Sequence, residues 1–232
     1  QYLTKMYTEE AVRQIKDRSM EAPFFIYLAH SMPHTPLYAS EKFLGKSKKG
    51  LYGDVIMELD WSAGEIVRAL KEEGIFDNTI FIFTSDNGPQ IGSAKPLRGL
   101  KAQTWEGGQR VPAIITWPLK IPKGSISDEM MTSMDFYPTL AKIAGAILSE
   151  DHISDGNDIR LLLENPDTGY LTERPFYYYA RNGNIEAMRL GKWKLHIKKS
   201  IGWNVKKEGD FELAHYDLDS DISESKNVAA DF

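Results

Sequence analysis

Apolar positions along the chain follow two spacings. Val55, Ile56, Leu59, Ala63, Ile66, Val67 and Leu70 recur every three or four residues and stop at Gly74, which predicts an amphipathic helix ended by that glycine. Nearer the start, Thr8 followed by Glu9 and Glu10, with Ala11, Val12 and Ile15 on one face, predicts a short helix capped by the threonine. Phe24-Phe25-Ile26-Tyr27-Leu28-Ala29 and Thr79-Ile80-Phe81-Ile82-Phe83-Thr84 are continuous apolar runs with aromatic and β-branched members, the pattern of strands buried on both faces. A strand, helix, strand unit with a right-handed crossover makes those strands parallel. The segments that follow them, around His34 and at Ser85-Asp86-Asn87-Gly88-Pro89, then leave the same sheet edge, where open α/β sheets bind ligands.

Val111 to Trp117 reads as another strand, and Asp135 to Ala144 as a helix ended by Gly145, with Pro138 tolerated in its first turn. From about Glu173 the texture changes. Phe176-Tyr177-Tyr178-Tyr179, Ala187-Met188-Arg189-Leu190 and Trp193-Lys194-Leu195-His196-Ile197 are short aromatic or alternating segments separated by Gly and Asn, which predicts a small antiparallel sheet. Lys192 and Lys194, in Gly191-Lys192-Trp193-Lys194-Leu195, are expected to face water and carry no catalytic role.

Composition narrows the class. With 232 residues, 42% hydrophobic and 26% charged, the chain is globular in character, which excludes disordered, collagen-like and coiled-coil classes. The net charge of −5, with lysines and arginines spread along the sequence, gives no electrostatic footprint for nucleic acid or anionic lipid. No apolar stretch approaches the roughly 20 residues needed to cross a bilayer. The absence of cysteine excludes disulfides, cysteine-ligated metals and a cysteine nucleophile among these residues. The start, Gln1-Tyr2-Leu3-Thr4, has neither an initiator Met nor a signal pattern and reads as the interior of something longer.

Candidate chemistry sits after the apolar runs. Asp86-Asn87-Gly88 is a common turn tripeptide, yet at a strand end its carboxylate and amide oxygens are hard ligands suited to Ca²⁺ or Mg²⁺. Two such ligands do not complete a shell of roughly six to eight oxygens. His34, in Pro33-His34-Thr35-Pro36, is either a structural imidazole or a group that binds an anionic oxygen or protonates a leaving group. The glycine-rich stretch from Gln90 to Arg110 carries Arg98 and Lys101. It reads either as a solvated basic loop or as an anion clamp, with Lys101 the better point charge for sulfate or phosphate.

In order and spacing, these motifs resemble those of the type I sulfatases. The resemblance rests on Pro33-His34-Thr35-Pro36, Thr84-Ser85-Asp86-Asn87-Gly88-Pro89, Leu97-Arg98-Gly99 through Lys101 and Thr104 to Glu106-Gly107-Gly108, Met57-Glu58-Leu59-Asp60, Arg110-Val111-Pro112, Trp117-Pro118, Met134-Asp135, Pro138-Thr139-Leu140 and Tyr216-Asp217-Leu218. The arylsulfatase A and N-acetylgalactosamine-6-sulfatase type is the nearest likeness. The resemblance implies an α/β, alkaline-phosphatase-like fold: a mixed, mainly parallel sheet flanked by helices, with a small C-terminal antiparallel-sheet subdomain. Residues 1–172 would be the C-terminal part of the large domain and 173–232 the small subdomain.

The resemblance also implies hydrolysis of an aryl or carbohydrate sulfate ester with a formylglycine nucleophile and Ca²⁺. Asp86 and Asn87 match metal ligands, Lys101 the lysine on the sulfate, His34 the histidine near the ester oxygen, and Arg98 a further substrate-binding cation. The family's Cys/Ser-x-Pro-x-Arg nucleophile motif has no match, since Ser31-Met32-Pro33-His34-Thr35 lacks the arginine. The chain therefore reads as the second half of a sulfatase, inactive alone, whose partners are a sulfated small molecule or glycan and the missing N-terminal half of the same domain. The family implies a periplasmic or secreted location, and the absence of an Asn-x-Ser/Thr sequon leans toward a bacterial source. A non-catalytic sulfatase-like module and a related phosphodiesterase or phosphonate hydrolase are the alternatives.

Overall fold

In a computed structural model of the chain, which describes every residue except 1, 150, 152, 170, 172, 181, 182 and 204–210, the first helix is longer than predicted. The expected domain boundary at Thr172 lies outside the described residues. Helix α1 spans Leu3–Lys16, so Thr8 sits in its middle instead of capping it. The Thr8 hydroxyl donates to the Thr4 carbonyl four residues back (2.6 Å) and shares a hydrogen bond with the Ser62 hydroxyl (2.6 Å). A threonine satisfied in this way needs no cap position, which is why the cap signal misplaces the helix start.

The chain divides into two compact units, Gln1–Phe83 with Ile115–Leu119, and Thr84–Ile114 with Lys120–Phe232. In the first, α1 lies against helix α2 (Gly50–Glu72), which Gly74 ends at φ +68°. Ile15, Ala69 and Leu70 form the buried centre, with Val12, Ile26, Ile66, Ile75, Phe76 and Phe81 around them. Burying each such aliphatic side chain contributes about 1.5–3 kcal/mol, so the helical periodicity of α2 is the main organiser of this unit. Asp54 holds the loop before α2 by accepting from the Gly45 and Ser47 amides at 2.8 and 2.7 Å.

Strand β1 (Phe81–Thr84) pairs with β2 (Ala113–Thr116) in a two-stranded sheet. The expected strand at Phe24 to Ala29 is not formed, and its predicted parallel unit with β1 is a correction. The segment has no ladder, Phe25 and Tyr27 are 75% and 83% exposed, and Ile26 is the member that joins the core. An apolar run supplies the capacity for burial, but a strand also needs a neighbour to accept its backbone hydrogen bonds. Nor is β1 buried on both faces, since Phe83 and Thr84 are exposed.

The second unit contains the short helices α3 (Glu106–Gln109), α4 (Phe136–Ile143) and α5 (Arg160–Glu164). Its antiparallel sheet runs β3 (Pro175–Tyr179), β4 (Ile185–Leu190), β5 (Trp193–His196) and β6 (Ala214–Asp217), in that spatial order; the first three form where the short segments predict, and β6 is a strand the pattern does not predict. Gly191, at φ +55°, makes the tight turn between β4 and β5, and Leu190 faces Trp193 across it. Asp135, fully buried ahead of α4, accepts from Thr132 N (2.6 Å), Asn157 N (2.7 Å) and the Arg174 guanidinium (2.8 and 2.9 Å). Gly145 ends α4 at φ +77°.

Candidate functional site

At the end of β1 the Thr84 hydroxyl donates to the Pro112 carbonyl (3.0 Å), and the chain bends through Ser85-Asp86-Asn87. The Ser85 hydroxyl donates to the Asn87 carbonyl at 3.3 Å and closes that bend. Gly88, buried, donates its amide to Gly108 O (3.0 Å), Lys101 N donates to Pro89 O (3.0 Å), and Gly107 N donates to Arg98 O (2.7 Å). Backbone hydrogen bonds therefore stitch the Asp86-Asn87 bend to the loop that carries Lys101. Asp86 is exposed, while Asn87 and Lys101 are half-buried.

The glycines are what permit this stitching. A Cβ on Gly88 would run into the carbonyl of Gly107, and one on Gly107 would meet the carbonyls of Arg98 and Gly99. Because backbone meets backbone there, no side chain can swing away. Gly88→Ala is expected to lower the unfolding free energy by about 1–3 kcal/mol, read from urea denaturation, as forced overpacking does. Unchanged stability would mean that bend and loop separate freely.

His34 belongs to the other unit and is exposed. Its Nδ1 lies 2.8 Å from the Thr35 carbonyl, which can only accept, so Nδ1 donates there and Nε2 is left to face another partner. The peptide bonds before Pro33 and Pro36 are both cis. His30 is oriented inward instead: its Nε2 lies 3.1 Å from Ser62 Oγ, and burial lowers its pKa against the opposing charge of Glu58.

Arg98 turns its guanidinium onto the Trp105 ring (3.7 Å to the centroid) and donates to the Glu224 carbonyl (2.9 Å) and to the Tyr216 hydroxyl (3.4 Å). Trp105 stacks in turn on His196, with ring centroids 3.9 Å apart. This stack lies beside a buried ionic group that the sequence reading missed.

Lys194, expected to face water, is 0% exposed. Its ammonium donates to Glu106 Oε1 (2.9 Å) and the Thr104 carbonyl (2.8 Å) and lies 2.9 Å from Glu224 Oε1. The correction follows from alternation along β5: Lys194 and His196 share the inward face, and Trp193 and Leu195 point the other way, half-buried. Inward polarity is tolerated because each of the ammonium's three protons finds an oxygen. Glu106 also receives the Tyr178 hydroxyl (3.1 Å) and Arg189 (3.3 Å), and Glu224 accepts from the Glu106 amide (2.7 Å). Burial alone would raise the Glu106 carboxyl, but Lys194 first, then Arg189 and Tyr178, hold it below the usual carboxylate range. Burial pushes His196 down despite its hydrogen bond to Glu224 at 3.2 Å, so it stands there as a neutral Nε2–H donor. The one hint of this cluster in the sequence is a strand whose charged and apolar residues alternate with equal strictness.

Asp86 and Asn87 offer one carboxylate and one amide oxygen, donors whose hardness fits calcium and whose number does not complete its shell. Among the described residues no group of three or more His, Asp or Glu side chains gathers to hold a metal ion. No helix among them is long and apolar enough to cross a membrane.

Comparison with known proteins shows the family of the chain. The family description Sulfatase matches residues 1–146, and that of N-sulphoglucosamine sulphohydrolase, C-terminal, matches residues 101–232. The chain belongs to the sulfatase family. It is 41% identical over 203 residues to the N-acetylgalactosamine-6-sulfatase of Canis lupus familiaris, covering 84% of this chain and 38% of that protein. The solved structure of PsFucS1 sulfatase from Pseudoalteromonas sp. matches with a TM-score of 0.87 at 28% identity, over 100% of this chain and 49% of the other. Ps i-CgsB, solved in complex with k-i-k-neocarrahexaose, matches with a TM-score of 0.86 at 30% identity, over 100% and 51%. The fold is the alkaline-phosphatase-like fold of sulfatases, a mixed helix and sheet architecture with a small antiparallel sheet. The chain spans less than half of the curated relative and about half of each solved chain.

Proposed function

We propose that these residues form the second half of a sulfuric ester hydrolase acting on an aryl or carbohydrate sulfate. The observation that carries this is the stitched framework of the Asp86-Asn87 bend and the Lys101 loop, in a chain of the sulfatase family. Lys101 grips the sulfate and the leaving-group oxygen as a compact point charge. Arg98 serves the same loop by anchoring it on Trp105 and Glu224. His34, with Nδ1 fixed on the Thr35 carbonyl, keeps Nε2 for the ester oxygen and as an imidazolium delivers a proton to the departing alkoxide or phenoxide.

Asp86 and Asn87 hold part of a Ca²⁺ shell. When bound, calcium supplies charge neutralisation at the sulfate oxygens. A formylglycine nucleophile has no candidate among these residues, so we place it, with the remaining metal ligands, in an N-terminal half that partners this one. Residues 1–172 then complete the large domain, and 173–232 form the small subdomain, whose sheet opens at Pro175. The carbohydrate ligand of Ps i-CgsB and the name of the canine relative support a sulfated glycan as substrate. A secreted or periplasmic location is part of the same proposal, and membership of the sulfatase family supports it.

In the full-length protein, Asp86→Asn and Asn87→Ala are each expected to weaken calcium binding by about 10- to 100-fold or more, read by calorimetry on the chelator-treated enzyme. Unchanged calcium affinity in both variants would remove these residues from the metal shell. The isolated 232 residues are expected to leave aryl sulfates intact.

A further inference from the structure

The loop from Arg98 to Gly108 is held at both flanks of Lys101 by one buried cation and the residue it pairs with, Glu224, through that residue's carboxylate on one flank and its main-chain carbonyl on the other. On the C-terminal flank, the Lys194 ammonium binds the Thr104 carbonyl (2.8 Å) and Glu106 Oε1 (2.9 Å), and Glu224 accepts the Glu106 amide (2.7 Å). On the N-terminal flank, the carbonyl of that same Glu224 accepts Arg98 at 2.9 Å. Lys194 and Glu224 lie 2.9 Å apart and are both fully buried, so the cation that binds the C-terminal flank also fixes the residue whose main chain holds the N-terminal one. Thr104 adds ties to the sheet region through its amide to Ser200 Oγ (2.7 Å) and its hydroxyl to Glu186 (2.6 Å).

We propose that Lys194 is a positioning residue for Lys101: its ammonium, bonded to Thr104, Glu106 and Glu224, sets the register of the loop that presents Lys101 to the sulfate. The inference rests on the reading of Lys101 given above and extends it to the C-terminal sheet. Of the three oxygens around the ammonium, two belong to the Lys101 loop and the third to the residue that grips both ends of that loop. A cation serving only to fill the core would have no reason to divide its bonds in this way. Methionine, of similar length, fills the space but bonds to none of the three. Arginine's planar fork does not reproduce a tripod of donors. Transition-state contacts tolerate little displacement, so a loop shifted by about 1 Å loses on the order of 100-fold in rate.

The test is a double-mutant cycle on the full-length enzyme with 4-nitrophenyl sulfate, with kcat normalised to folded protein. Lys194→Met is expected to lower kcat by about 10- to 100-fold in the native background and by less than about twofold in the Lys101→Ala background, because residues acting as a unit are not additive. A purely structural role multiplies equally in both backgrounds, and that result overturns the inference while leaving the function of Lys101 standing. If Lys101→Ala itself leaves kcat unchanged, the reading of Lys101 falls and the inference falls with it. Should Lys194→Met fail to fold, the charge-balanced pair Lys194→Met with Glu224→Gln replaces it in the cycle. The same non-additivity supports the proposal, and additivity overturns it.

Discussion

Lys101→Ala in the full-length protein is expected to reduce kcat for an aryl sulfate by about 100- to 1,000-fold, the cost of losing one fixed charge where negative charge develops in the transition state. The size follows from what the side chain faces. A sulfate ester already carries one negative charge, which any nearby cation binds in ground state and transition state alike. That share of the interaction affects KM alone. The leaving oxygen becomes anionic only as the sulfur–oxygen bond breaks, so a cation on that oxygen acts on kcat. A rise in KM with kcat unchanged would therefore show that Lys101 binds sulfate without assisting departure. Lys101→Arg is expected to restore part of the rate, since it returns the charge but spreads it over a rigid fork. The half-buried setting of Lys101, on a loop fixed by Gly88, Gly107 and Gly108, is what makes the charge effective, because a mobile surface lysine is screened by water and salt.

Local patterns were legible in the sequence where local physics decides the outcome. The periodic face of α2, its stop at Gly74 and the first three strands of the sheet after Pro175 follow from helix spacing, glycine conformation and short apolar segments, and each forms where expected, whereas β6 at Ala214–Asp217 had no such signal. Phe24 to Ala29 was legible as apolar and not as unpaired, because pairing depends on which other strands are present. In the candidate site, Asp86, Asn87 and Lys101 acquired a common chemistry only through the resemblance to the sulfatases, and the backbone bonds of Gly88 and Lys101 that tie bend to loop appear only in three dimensions. Lys194 shows the sharper failure. The alternation of β5 is visible in the sequence and its inward face is not, since a lysine is almost never fully buried without a partner. Its partner Glu106 lies 88 residues away in sequence. No local rule reaches that far.

That buried group carries the largest expected effect on stability. Lys194→Met is expected to lower the unfolding free energy at pH 7 by about 3–5 kcal/mol, because removing one member of a buried ion pair leaves the others charged and unmatched. Packing contributes little to the loss, as methionine has nearly the same length and bulk. The pH dependence separates the two causes. In the native protein Glu106 titrates below its unfolded value of about 4.3, so its contribution is present above that pH and is lost as pH falls through the depressed folded value. Without the ammonium, Glu224 keeps only the His196 ring at 3.2 Å as a side-chain hydrogen-bond donor, while Glu106 keeps Arg189 and Tyr178.

Burial is the main cause that holds His196 down and Lys194 adds to it, so removing Lys194 raises the ring's pKa while burial still opposes protonation. A histidine whose folded pKa lies below its unfolded value of about 6.5 costs stability as pH falls through that range, and a variant in which the depression is smaller loses less there than the native protein. Glu106, deprived of the partner that lowers it most, moves up under the same burial, and a carboxyl raised in this way carries a penalty at high pH that fades as pH falls. Both changes have the same sign. The difference in stability between native and variant protein is therefore expected to be largest near pH 8 and to shrink steadily toward pH 5, measured by urea denaturation across that range. A difference that stays constant with pH would assign the loss to packing and remove the ion pair as its cause.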